Sequence, residues 1–188
     1  YTGLGLRGND SSPVSARGVA LPESARLGPD GGGLDLMLGT VLPWFNLMNA
    51  ACSVGLMQTA CERTAAHCAA TRHTHAGTSL ADLPTIRANL ARMRIRADMA
   101  AALLRDAVDA VCGAAPDAML RVLEVKAGAG EAALEVTDLA MRVCGGAAYR
   151  REVGVERVFR DARAASVMAP TSDHLFDFIG KALTGLPV

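Results

Sequence analysis

"PTIRANLARMRIRADMAAALLRDAVDAVCG", residues 84–113, decides the fold. Ile86, Leu90, Met93, Ala97, Ala100, Leu104, Ala107 and Val111 recur at alternating spacings of four and three. That is the seam of a long helix packed in a bundle. Pro84 suits a first helical turn, with Asp82 or Thr85 as its cap, and Gly113 suits its end. Arg87, Arg92, Arg94, Arg96 and Arg105 fall mostly off the seam. A solvated face is the ordinary reading of such a run, and a phosphate-binding face the sharper one.

Working outward, similar helical patterns flank this segment. Towards the N-terminus the pattern runs from Leu34 to about Arg72, with Pro43 expected to kink it or split off a first short piece. Ala51, Cys52, Ser53 and Gly55 form a small-residue face that suits close approach of another helix. Towards the C-terminus, Pro116 opens a helix that Met119, Val122, Leu123, Lys126, Leu134, Leu139 and Val143 carry to Gly145-Gly146. Its interior glycines, Gly128 and Gly130, cost about 1 kcal/mol each against alanine and mark tight helix contacts. A short amphipathic helix is expected near 153–166. A last helix follows Pro170, capped by Thr171 or Ser172, and runs towards Leu183. The expected fold class is mainly α: an up-and-down helical bundle of three long and two shorter helices.

Residues 1–30 differ in character. They are rich in Gly, Pro, Ser and Asp, and Val14–Ala16 and Arg17–Leu21 read as short strands cut by Pro13 and Pro22. The organisation read from this contrast is a β-leaning remnant over 1–30 and a helical domain over 31–188. The chain opens without methionine, on "YTGLGLRGNDSSPV", which reads as the interior of a longer protein.

Composition bounds the function classes. Of 188 residues, 51% are hydrophobic and only 4% aromatic, so a helical core is readily built. Nineteen basic residues balance 19 acidic ones, which disfavours nucleic acid or an anionic membrane as partner. No apolar run is long and charge-free enough to span a bilayer. The five cysteines, Cys52, Cys61, Cys68, Cys112 and Cys144, fall largely in apolar helical patterns and read as reduced core thiols of a cytoplasmic protein. Cys61, His67 and Cys68 lack the paired spacing of a metal site.

Three short stretches have chemistry to weigh. In "TSDH" (171–174) a cap with Asp173 in the first helical turn accounts for the letters better than a catalytic triad does. In "RHTH" (72–75) the histidines read as surface residues. Arg72 and Thr74 form the more suggestive pair, because guanidinium and hydroxyl both bind phosphate oxygens. "CGGAAY" (144–149) is either a helix stop or bare backbone offered to a ligand.

Taken together these stretches resemble the C-terminal half of the acyl-CoA dehydrogenase family. "GLRG" (5–8) and "VALPESARLG" (19–28) are similar to the exit of its middle β-domain. "SVGLMQTACERTAAHCAATR" (53–72) resembles its first long helix, and "CGGAAYRREVGVERVFRDAR" (144–163) its Gly-Gly turn, Val-Glu-Arg and Arg-Asp-Ala block. The resemblance implies an FAD-dependent oxidoreductase acting on an acyl-CoA thioester at the α,β carbons. It also implies a homo- or hetero-oligomer, dimer or tetramer, whose helical domains reach a neighbour's FAD.

By the same resemblance Arg72 and Thr74 hold FAD pyrophosphate across the interface. Gly145 and Gly146 let the backbone approach the adenosine part, and Thr171 binds the subunit's own FAD at a helix N-terminus. Arg142 stands where the family often has glutamine, and Asp173 at another polar FAD-contact position. His75 and Ala76 replace a usual Phe-Gly. The family's base is usually a glutamate just before the Gly-Thr that opens the last helix; here Ala169 and Pro170 precede Thr171. The alternative base position lies in the stretch matching "VLPWFNLMN" (41–49), which has no carboxylate. The resemblance therefore names no catalytic residue, and implies either an enzyme with an unusual base or a base-less partner subunit that completes an FAD site.

Overall fold

The computed structural model describes residues 2–187. Its helices are α1 (Gly33–Leu36), α2 (Leu42–Ala70), α3 (Pro84–Cys112), α4 (Ala118–Cys144), α5 (Val155–Val167) and α6 (Ser172–Thr184). The three long helices and two shorter ones expected from the sequence form an up-and-down bundle. Helix α4 is central and packs against α2, α3, α5 and α6.

The seam on α3 is borne out from Met93 to Ala107, while Val111 at its end is exposed. Met93, Ala97, Ala100 and Ala107 are buried and meet Ala50, Met57, Val125, Ala129 and Val136 in one core. Alanines at these positions let the axes come close. The interior glycines of α4 do the same: a Cβ on Gly128 would stand 3.2 Å from Leu103 of α3, and one on Gly130 3.7 Å from Ala165 of α5.

At Pro43 the expectation holds: a first short helical piece, α1, is set off before it. A five-residue π turn, Met37–Val41, joins α1 to α2, and Pro43 occupies the first turn of α2. The preceding turn is helical, and its wider i→i+5 pattern leaves room for a ring without an N–H. Several other local expectations are corrected. The loop after α2 contains a small hairpin, β1 (Arg72–His73) against β2 (Thr78–Ser79), antiparallel with Arg72 opposite Ser79. The residue before Pro84 is the helix cap, not Asp82 or Thr85: Leu83 is extended, as a residue preceding proline must be. Asp82 instead closes a capping box with Ser79 one turn earlier. Helix α4 begins at Ala118, and Pro116 stays in the preceding turn.

Val14–Ala16 and Arg17–Leu21 form no strand. Val14, Val19 and Leu21 are exposed, and among the described residues no other segment pairs with them as a strand. What anchors the N-terminal segment is α5. Gly5 lies so close that a Cβ there would stand 2.5 Å from the Arg160 carbonyl oxygen. Arg160 donates to the Leu4 carbonyl at 2.8 Å, and the Leu6 amide donates to Asp161 at 2.7 Å.

Candidate functional site

The start of α2 and the end of α5 lie side by side and leave a cleft of about 310 Å³. Phe45, Met48, Asn49 and Cys52 of α2 form one wall, and Asp161, Ala165 and Met168 the other. Asn49 Nδ2 approaches Met168 Sδ at 3.5 Å. A thioether sulfur only accepts, so the amide nitrogen faces it, and Asn49 Oδ1 is left buried without a hydrogen-bond partner. The stretch 41–49 and the turn holding Ala169, the two base positions named by the resemblance, thus meet at one cleft. Neither brings a carboxylate to it. The carboxylate on its wall is Asp161, already engaged with the Leu6 amide.

Behind that wall lies Lys126, which sequence reasoning read only as a helix-face residue. It is 1% exposed. Its ammonium donates to the carbonyls of Ala165, Met168 and Pro170 at 3.3, 3.0 and 2.5 Å, so each of its three N–H bonds has an acceptor. Two of those carbonyls come from the end of α5, where unpaired carbonyls and the helix dipole favour a cation. The Phe45 ring lies 5.9 Å from the same nitrogen. Burial pulls the pKa of Lys126 below the ordinary lysine range. One side chain therefore ties α4 to the turn that carries Ala169. A lysine among alanines and glycines in α4 was the available signal.

The cofactor candidates fall into two groups. Arg72 and Thr74 lie on the hairpin that follows α2, exposed. Among the described residues, Arg72 makes no side-chain hydrogen bond. Arg142, Gly145 and Gly146 lie at the end of α4, also exposed. The two helix ends are neighbours: Cys144 sits beside Cys68 and the Thr64 hydroxyl. Gly145 has φ 58° and ψ −138°, backbone that only glycine adopts readily, and among the described residues beyond its chain neighbours neither glycine has an atom within 4 Å of where a Cβ would stand. Of the two readings of "CGGAAY", the helix stop is present, and the backbone of both glycines is exposed beside it.

Thr171 and Asp173 belong to the other group. Thr171 caps α6, its Oγ1 accepting from the His174 amide at 3.4 Å. Asp173 and His174 are exposed, and His174 stacks on Phe178 with centroids 6.4 Å apart. Helix α6 packs through Leu175 onto Leu123 and Ala127, one level with Lys126. Eighteen residues of α4 separate Lys126 from Cys144, about 27 Å at ~1.5 Å per residue. Within one chain, then, the Thr171 group and the Arg72 group do not converge.

Cys61, Cys68 and Cys144 are structural thiols, whereas Cys52 and Cys112 are exposed, which corrects the reading of the five as core thiols. Burial pushes the pKa values of Cys61, Cys68 and Cys144 upward, which keeps them protonated and poor as ligands or nucleophiles. Among the described residues no three His, Cys, Asp or Glu side chains are grouped as a metal site. No helix there is long and apolar enough to cross a membrane.

Residues 31–184 match the family described as acyl-CoA dehydrogenase, C-terminal domain. The chain belongs to the acyl-CoA dehydrogenase family, which is FAD-dependent. It is 28% identical over 184 residues to cyclohex-1-ene-1-carbonyl-CoA dehydrogenase of Geobacter metallireducens, covering 96% of this chain and 47% of that protein. It superposes on glutaryl-coenzyme A dehydrogenase in its glutaryl-CoA complex with a TM-score of 0.78 at 25% identity, covering 89% of this chain and 42% of the other. PigA with FAD and proline shares the fold at a TM-score of 0.80 and 21% identity, over 89% and 43% of the two chains. The chain thus spans about half the length of that curated relative.

Proposed function

We propose that this chain is the C-terminal part of an FAD-dependent oxidoreductase that oxidises an acyl-CoA thioester at its α,β carbons. In this reading residues 1–30 end a middle β-domain and 31–188 are the helical domain. The protein is cytoplasmic and assembles as a dimer or tetramer. The observation that carries the reading is the separation of the two groups of cofactor candidates by about 27 Å along α4. Each group fits part of FAD. Exposed Arg72 and Thr74 suit the pyrophosphate, bare Gly145 and Gly146 suit a flat adenosine face, and Thr171 at the N-terminus of α6 suits a phosphate or polar ring edge. Because they do not converge in one chain, a complete site uses Thr171 of one subunit with Arg72 and Gly145 of another. Arg142 adds a cation and Asp173 an acceptor at the two edges.

Bound FAD supplies the acceptor for the hydride leaving the β carbon. The chain's own part is positional. Phe45, Met48 and Met168 wall off an apolar cleft for the acyl group, Lys126 fixes the turn that closes it, and the packed helices exclude water. The α-proton has no acceptor at either family position.

That gap favours a second reading: a base-less subunit that completes an FAD site for a homologous partner. Anaerobic mixing of the FAD-loaded protein with a panel of straight-chain acyl-CoAs, followed by flavin absorbance, separates the two. Rapid bleaching supports the enzyme reading. Its absence, with FAD retained, supports the partner reading, and a protein that cannot be loaded with FAD defeats both.

A further inference from the structure

Two hollows adjoin along α5. One is the cleft between α2 and α5. The other, about 450 Å³, is bounded by Arg7, Gly8, Arg157 and Arg160 and shares Leu6, Asn9 and Asp161 with the cleft. Their charges are unequal. Arg160 is taken by Glu156, at 2.6 Å, and by the Leu4 carbonyl. Asp161 is held by the Leu6 amide. Arg7 uses only Nε, on the Gly3 carbonyl, and Arg157 makes no hydrogen bond or ion pair among the described residues. Behind the cleft wall Lys126 holds the carbonyls of Ala165 and Met168, and no carboxylate pairs with it among the described residues. Three cations, Arg7, Arg157 and Arg160, thus line the second hollow beside one carboxylate, Asp161, and Arg160 is already paired with Glu156.

Arg7 and Arg157 are exposed, and a hollow lined mostly by one sign of charge attracts the opposite charge. Two guanidinium groups with free forks suit a planar oxyanion. An uncharged alkyl end would leave both forks to water, and a cationic end would be repelled. We propose that the paired hollows bind an acyl thioester whose acyl group ends in an anion of carboxylate size. The chain lies in the apolar cleft and the anion on Arg7 and Arg157. This rests on the acyl-thioester reading above and gives it a substrate class.

The test compares binding of glutaryl-CoA and pentanoyl-CoA, which have equal chain length, to the FAD-loaded protein by calorimetry. Their pantetheine esters, which lack the nucleotide phosphates, are measured beside them. The expected result is a preference for glutaryl over pentanoyl on the order of tenfold in both series. It should fall to about twofold or less in Arg157→Gln and Arg7→Gln, and persist in part in Arg157→Lys, which keeps the charge. Equal affinity for the two acyl groups, or a preference untouched by the glutamine variants, overturns the proposal. Loss of binding to both CoA esters alike, with the pantetheine esters unaffected, also overturns it and assigns the arginines to coenzyme phosphate. Acyl-CoA binding without charge preference leaves the flavoprotein reading standing, whereas no acyl-CoA binding at all removes both.

Discussion

Asn49 on α2 and Met168 beyond α5 are 119 residues apart in sequence and 3.5 Å apart in space. Their contact closes the cleft where an acyl group would lie. It also means that one carboxylate, introduced from either strand of chain, addresses the same volume. Ala169→Glu, in the FAD-loaded protein, is expected to raise the rate of flavin bleaching by a bound acyl-CoA about 10²- to 10⁴-fold, the usual worth of a positioned base. Stopped-flow absorbance measures it. No gain, with substrate binding intact, would mean that the turn before Thr171 aims the new side chain away from the substrate.

Lys126 holds that turn with three hydrogen bonds from a site 1% exposed. Lys126→Met keeps the unbranched side chain one atom shorter and removes every donor. Stability should fall by about 2–4 kcal/mol, because one buried and two partly buried carbonyls lose their partner together. Urea unfolding with the slope unchanged is the measurement, and a loss below about 0.5 kcal/mol would show the carbonyls finding water instead.

Asn46 behaves in the opposite sense. It is fully buried, and neither its Nδ2 nor its Oδ1 has a hydrogen-bond partner. Each unpaired atom costs about 1–3 kcal/mol, so Asn46→Leu should leave the protein more stable by about 1 kcal/mol after some repacking. A lower thermal midpoint in the variant would point to an ordered water serving the amide.

Gly145 and Gly146 separate strain from ligand contact. Gly145→Ala is expected to destabilise by about 1–3 kcal/mol, since its φ of 58° and ψ of −138° suit glycine alone. Gly146 has negative φ and open space at its Cβ position, so Gly146→Ala should leave stability unchanged. If FAD approaches this backbone, the same variant should still weaken FAD binding. Equal FAD affinity in Gly146→Ala and the parent would remove Gly146 from the cofactor site.

Asp82 gives a pH-dependent local signal. The Ser79 amide donates to its carboxylate at 2.6 Å and the Ser79 hydroxyl at 3.0 Å, and these bonds, the amide first, lower its pKa. A carboxyl depressed in the folded state contributes stability above its unfolded pKa of about 3.9 and loses it as pH falls through the folded value. Amide-exchange protection at Ser79 should therefore hold at neutral pH and collapse at acidic pH below about 4. In Asp82→Asn the protection should be weaker at neutral pH and nearly flat across that range.

The sequence by itself determined the helices, their order along the chain and the family. Seam periodicity on α3, glycines on α4 and the cap at Thr171 are local signals, and hydrophobic burial turns them into a bundle with little ambiguity. The hairpin Arg72–Ser79 escaped because two-residue strands are too short to show alternation. The unpaired state of Val14–Leu21 escaped because strand propensity says nothing about whether a partner strand is present. Tertiary structure alone decided that 41–49 and Ala169 share one cleft, that Lys126 stands behind it, and that Thr171 and Arg72 lie far apart. Those facts depend on how helices distant in sequence are rotated and shifted against each other. Close packing of side chains sets that rotation, and the period of any single helix does not record it.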